Sequence, residues 1–325
     1  MVDLPEFWLE GMYDGVMFTT KIHREPVINS YCSRRVLLGA VEASVEDYYV
    51  ASGIEQANHN SAITIANYKL TSVAYAPTNK PILNTASSNN LGTSIERQSI
   101  ACAGHFNTVN FHKMANNIGI GWDIVDYESH IKVAWMYYCK YGKMNAQAAI
   151  GSGQSSYNRA IGTTSTIGNL DTSPSTAISL KNVNIFGLEN WWGDKFEWMS
   201  GISNIKGTIY IQDGLALNSS NQLIVPSSSY RTVNVTNDLG ITANTNGVIT
   251  EMLLGEHCDL LPKAIETWTN NYWYDYSNIN VNQGNTAAGS VANRSHYSAY
   301  GIGGPAFLDL DHAPSSSFAY CGSRL

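Results

Sequence analysis

Residues 186–199 read Phe-Gly-Leu-Glu-Asn-Trp-Trp-Gly-Asp-Lys-Phe-Glu-Trp-Met and place five aromatic rings in fourteen positions. Each ring offers about 150–250 Å² of surface to bury, so this segment cannot be an exposed loop and must be folded into a core. Gly187 and Gly193 then mark where the backbone turns between rings. The rest of the chain suits such a core: charged residues make up only 14%, against about 25% in an average globular protein. With 325 residues, the chain is long enough to bury a large interior without disulfides.

Several function classes are disfavoured by charge and composition. Nineteen Lys and Arg against 26 Asp and Glu leave a net charge of −7. No basic run could track a row of phosphates, so nucleic acid is not an expected partner. No stretch approaches the ~18 apolar residues of a membrane-spanning helix, and Met1 to Glu6 lack the basic-then-apolar pattern of a secretory signal. The expectation is synthesis in a cytoplasm and no membrane insertion. The five cysteines (Cys32, Cys102, Cys139, Cys258, Cys321) are scattered and free of CxxC spacing, which suggests neither a disulfide framework nor a zinc site.

Periodicity points to a loop-rich α+β chain with short antiparallel strands and about two helices. Apolar residues at 127, 131, 134, 135 and 138 follow helical spacing, Asp126 can cap the start and Gly142 the end. A shorter helix is expected over 109–117, closed by Gly119 in the left-handed conformation. Residues 206–212 and 230–236 alternate with a period of two and are followed by the turn pairs Asp213-Gly214 and Asn237-Asp238. Segments 151–180 and 215–229 read as surface loops, 76–95 as an insertion, and no internal repeat is found.

The Gly-Leu, Gly, Glu-Trp pattern over Gly187, Trp191, Trp192, Gly193 and Trp198 resembles the signature of the formylglycine-generating-enzyme branch of the C-type lectin fold. The chain end, Gly322-Ser323-Arg324-Leu325, resembles that branch's terminal strand. With the helix over 126–141 and Asn145-Ala146-Gln147, these pieces resemble the variable proteins of diversity-generating retroelements, especially those of phages of gut Bacteroides-type hosts. The resemblance covers 107–325 and extends to 36–53. It divides the chain into an N-terminal segment, 1–106, contributing first strands of the fold, and a lectin-like domain, 107–325, with a variable region over 270–321.

In that family adenine-directed miscopying of Asn codons yields codons ending in a pyrimidine, which excludes Lys, Glu, Gln, Met and Trp at diversified sites. Those types number 47 in this chain, yet residues 284–325 hold none, where simple proportion expects about six. The resemblance implies a receptor-binding protein displaying a hypervariable surface. The implied setting is a phage tail adhesin in the virion; the alternative is a bacterial or prophage-encoded protein on the cell surface. The implied partners are a bacterial surface protein or glycan and virion tail proteins. A homo-oligomer is expected, a trimer being one form, since avidity offsets modest single-site affinity.

From 270 to 320 the chain is rich in Tyr, Ser, Asn and Gly and lacks Lys and Glu, the composition of a paratope. The expected ligand-contacting residues are Asn293, His296, Ser298, Tyr300, Ile302, Phe307, Asp309, Asp311, His312 and Phe318. Tyr300 and Phe307 are expected to be exposed anchors whose loss costs binding rather than stability. Gly303, Gly304, Gly322 and Arg324 are expected to hold the backbone constant. The cluster 272–276 fits core packing as well as binding.

Enzymatic and metal readings have less support. A formylglycine-generating-type oxidase, the third reading, needs paired reactive cysteines, and Cys321 stands alone in its motif. Glu25-Pro26-Val27 lacks the amide of a calcium-lectin motif, and His257 with Asp259 is weak as a metal pair. Asp309 and Asp311 alternate as a carboxylate pair without an assignable His or Arg partner. Gly151-Ser152-Gly153 has no following Lys-Ser/Thr. The expectation is a binding protein that is not an enzyme and has no cofactor and no metal.

Overall fold

The computed structural model describes residues 1–14, 17–47, 68–72, 82–83, 106–151, 153, 183–193, 195–266, 275–279, 281, 289–296, 303–318 and 320–325. Helix α1 spans Thr108–Asn116, α2 Tyr127–Tyr141 and α3 Ala146–Ala149. The N-terminal strands are β1 Val2–Leu4, β2 Phe7–Tyr13, β3 Phe18–His23, β4 Tyr31–Ser33 and β5 Val36–Leu38. Strands β6 Ser44–Asp47, β7 Tyr68–Thr71 and β8 Ile82–Leu83 follow, then β9 Asn184–Ile185 and β10 Leu188–Glu189. The remaining strands are β11 Phe196–Ile205, β12 Thr208–Ile211, β13 Arg231–Asn234, β14 Thr245–Leu254 and β15 Leu260–Glu266. The series ends with β16 Tyr276–Ile279, β17 Ser290–Arg294, β18 Leu308–His312 and β19 Cys321–Gly322. The fold is α+β and rich in loops. No helix among the described residues is long and apolar enough to cross a membrane.

The centre is a nine-stranded sheet in the order β13-β12-β11-β17-β18-β16-β14-β15, with β19 alongside β11. Most pairs are antiparallel, while β16–β18 and β11–β19 are parallel. Strand β11 is buried at every position, as expected of a central strand covered on both faces. The N-terminal strands pair among themselves, β1 with β5 and β3-β2-β4, rather than joining this sheet.

Helix α2 begins and ends as its sequence dictates. Asp126 accepts a hydrogen bond from the Ser129 amide at 2.7 Å, and Gly142 adopts φ 60° while donating to the Tyr138 carbonyl. Its apolar stripe is buried, but so is Lys132 on another side. The Lys132 amine donates to the carbonyls of Pro5, Ser33 and Arg34 at 2.7, 3.3 and 2.5 Å and lies 4.3 Å from the Phe7 ring centroid. Burial pulls its pKa down to about 8. The N-terminal sheet thus covers the helix, and Gly11 permits it: a Cβ there would collide with the Trp135 ring.

Helix α1 stops at Asn116 with Asn117 still right-handed and Gly119 at φ 157°, so the expected left-handed glycine cap is not what ends it. Helix α3, capped by the Asn145 side chain, is too short to carry a periodic signal. Of the two period-two segments, residues 208–211 and 231–234 form β12 and β13. Segment 215–229 is irregular apart from a bridge between Leu217 and Leu223. Nearly all of 151–180, and 76–95 apart from β8, lie outside the described residues.

One buried ion cluster ties the layers together. Glu197 of β11 receives both Arg294 of β17 and Arg324 of the C-terminal segment, and all three side chains are fully buried. Arg294 donates to the Trp191 carbonyl at 2.8 Å and its guanidinium carbon lies 3.6 Å from a Trp191 ring centroid. Arg324 donates to the carbonyls of Gly39, at 2.8 Å, and Glu189. Burial lowers the Arg294 pKa to about 10, against the upward pull of Glu197. Removing the shared carboxylate strands two buried cations, so Glu197→Ala is expected to cost about 3–5 kcal/mol, read as a lowered urea midpoint.

Candidate ligand-binding face

Four adjacent strands bring residues from distant parts of the chain into one row. Trp198 of β11 pairs with Asn293 of β17, Asn293 with Asp309 of β18, and Asp309 with Asn278 of β16. Paired residues project to the same side of a sheet, so these four share a face. Glu197 and Arg294, each one residue away, project to the other.

Strand β18 departs from simple alternation. Val291 pairs with His312 while Asn293 pairs with Asp309, so three steps on β18 oppose two on β17. This bulge turns His312 onto the same face as Asp309. His312 Nδ1 lies 3.2 Å from Asp311 Oδ1, and His312 Nε2 lies 4.0 Å from Asp309 Oδ2. Asn278 Nδ2 donates to Asp311 Oδ2 at 2.6 Å, and the Asp311 amide donates to Asp309 Oδ1 at 3.1 Å. Burial and the neighbouring Asp311 raise the Asp309 pKa well above the carboxylate range. Burial lowers that of His312, with Asp311 opposing.

Rings surround this cluster in a continuous band. Trp198 lies 6.1 Å and Phe318 5.0 Å from His312, and Phe318 stacks on Tyr320 at 4.9 Å. Tyr320 is 5.9 Å from Phe196, which is 4.8 Å from His296 and 5.8 Å from Phe307. Tyr276 stacks on Phe307 at 6.0 Å. The outer rim consists of half-buried side chains: Tyr276, His296, Asp311, His312, Phe318 and Tyr320. Desolvation lowers the His296 pKa to about 4, so its ring is neutral at physiological pH.

The expected contact residues therefore divide. His296, Asp311, His312 and Phe318 lie together on the rim. Three expectations of exposure are corrected: Phe307 is fully buried, packed against Phe196, Tyr276 and His296, while Asn293 and Asp309 are buried within the sheet. Ser298, Tyr300 and Ile302 lie outside the described residues. Phe186 and Gly187, at φ 53° and 84°, join β9 to β10 in a two-residue hairpin turn. Trp191, Trp192 and Trp198 are fully buried, and their neighbour Gly193 has φ 89°. Gly322 pairs with Glu197 in the β11–β19 ladder.

Gly303 and Gly304 sit against a buried acid that the sequence did not signal. Asp275 accepts from the Ala306 amide at 2.7 Å and from Gln147 Nε2 at 2.9 Å, and Gln147 also donates to the Gly303 carbonyl. A Cβ on Gly304 would collide with the Asp275 carboxylate.

A separate small cavity is lined by residues that include Tyr31, Ser33, Glu128, Tyr230, His257 and Asp259. His257 is stacked between Tyr31 and Tyr230, at 4.6 and 4.4 Å, and Asp259 pairs with Arg231. Cys258 and Cys321 are both buried and free, and they belong to different core clusters.

No family model matches the chain, and no curated protein matches it. The functional reading therefore rests on the face itself.

Phe307→Ala is expected to cost about 3–5 kcal/mol of stability, the range for truncating a buried aromatic, visible in chemical denaturation without any ligand. Asp275 gives a pH signature. Burial pushes its pKa from 3.8 up to about 7, so its favourable contribution is complete below the unfolded value and is lost as pH rises through the folded one. Relative to the parent chain, Asp275→Asn should gain stability from about pH 4 to about pH 7, by up to about 1.4 kcal/mol per unit, in melts run side by side.

Proposed function

We propose that the chain is a ligand-binding protein, a phage tail adhesin for host attachment, that displays a changeable face on a C-type lectin-like scaffold. The observation that carries this reading is the rim formed by Tyr276, His296, Asp311, His312, Phe318 and Tyr320, within a stretch free of Lys and Glu. Aromatic rings give contact area for two lost torsions each, and Ser, Asn and Asp add adaptable hydrogen bonds. Long charged side chains would cost more to immobilise and to desolvate. The absence of five residue types from 284–325 supports a surface drawn from a restricted codon set.

The lectin-like assignment is supported by the segment 186–199, whose tryptophans are buried beside the closing strand β19. Such a framework would leave rim residues free to change while Arg294, Glu197 and Arg324 stay constant. The expected partner is a protein or glycan on the bacterial surface, met by several copies of the chain on one virion.

Deep sequencing of the gene's last ~150 nucleotides across the carrying population tests the reading. Substitutions should concentrate in the codons of Tyr276, His296, Phe318 and Tyr320 and of 297–302, with Gly303, Gly304, Gly322 and Arg324 fixed. A uniform sequence, or changes spread evenly along the gene, would overturn it.

A further inference from the structure

Asp309, Asp311 and His312 each offer a ligand atom, and these atoms lie within 4.8 Å of one another. Beside them is an unexplained polar group. Asn293 is fully buried, yet neither its Oδ1 nor its Nδ2 has a hydrogen-bond partner. A buried amide left unpaired is destabilising. Because Asn293 pairs in register with Asp309 across the β17–β18 ladder, its side chain is directed to the cluster's side of the sheet.

The charges are also unbalanced. Among the described residues no lysine or arginine pairs with Asp309 or Asp311, and the basic side chain within 4.0 Å of them is the His312 imidazole. Asp309 is 4% exposed, and a carboxyl group in such surroundings carries its charge only when it is paired or bound to metal.

We propose that Asp309, Asp311 and His312, with the Asn293 amide oxygen as a fourth donor, form a site for one divalent transition-metal ion of the zinc class. Two carboxylates and a neutral imidazole match a 2+ ion in charge, and the ring nitrogen favours zinc-like ions over calcium or magnesium. Tetrahedral bonds of about 2.0–2.2 Å set ligand atoms about 3.3–3.6 Å apart. Binding would draw the set together by rotation of the half-buried Asp311 and His312 side chains. The β18 bulge is what makes the set possible, since regular alternation would put His312 on the opposite face. The site stands independently of the adhesin reading, because it requires neither diversification nor a host ligand.

The test is metal uptake by the full chain after chelator treatment, followed by equilibrium dialysis against Zn²⁺ and titration calorimetry with Zn²⁺ and Ca²⁺. The expected result is one Zn²⁺ per chain and a raised melting temperature. Affinity should fall at least about 10-fold in His312→Ala and in Asp311→Asn, whose half-buried positions favour retained folding, checked by metal-free melting. Absence of stoichiometric Zn²⁺ uptake by the parent chain, uptake unchanged in both variants, or preference for Ca²⁺ would overturn the proposal.

Discussion

The Arg294–Glu197–Arg324 cluster is the interaction on which the remaining architecture depends. A buried carboxylate is costly to desolvate, and two guanidinium groups compensate it only in good geometry and with further hydrogen bonds from their own donors. Carbonyls of Gly39, Glu189 and Trp191 accept further guanidinium hydrogen bonds. One ion network therefore fixes the entry from the N-terminal sheet, the hairpin β9–β10, the first tryptophan of the aromatic segment and the C-terminal segment at once. Its partners come from sequence positions up to 285 residues apart, so it can close only when the fold is nearly complete.

Strand alternation converts this fixed core into a platform. On β11 and β17, Glu197 and Arg294 project to one face while Trp198 and Asn293 project to the other. The first face is locked by charge and by the Trp191 ring. The second carries the aromatic band and the carboxylate–histidine group. Substitutions on its rim leave the network beneath untouched, because the two sets of side chains are separated by the sheet itself.

What the sequence made legible was local. Asp126 and Gly142 marked the ends of α2, and period-two alternation marked β12 and β13, because caps, turns and alternation act within a few residues. The density of tryptophan over 186–199 announced burial correctly. Composition failed where burial depended on distant partners. Phe307 stands among Gly, Pro and Ala and reads as a surface ring, yet Phe196 and Tyr276 close over it. The bulge in β18 was invisible for the same reason: period-two counting separates His312 from Asp309, and only the register against β17 reunites them. Arg294, the one cation among the uncharged residues around it, was the available hint of a buried ion pair.

The described residues on either side of 297–302 are held firmly to the core. On one side, Ser295 adopts φ 64° and its hydroxyl donates to the Gly193 carbonyl at 3.1 Å. On the other, the Gly303 carbonyl is held by Gln147, and a Cβ placed on Gly303 would lie 3.3 Å from both His296 Cβ and Trp192 Cβ. Ser295 and Gly303 are thus two pinned points. The entropy of closing a loop depends on its length and its end-to-end span, and only weakly on which side chains it carries. Ser295, Gly303 and the Trp191-Trp192-Gly193 turn therefore set the span between the two flanking points.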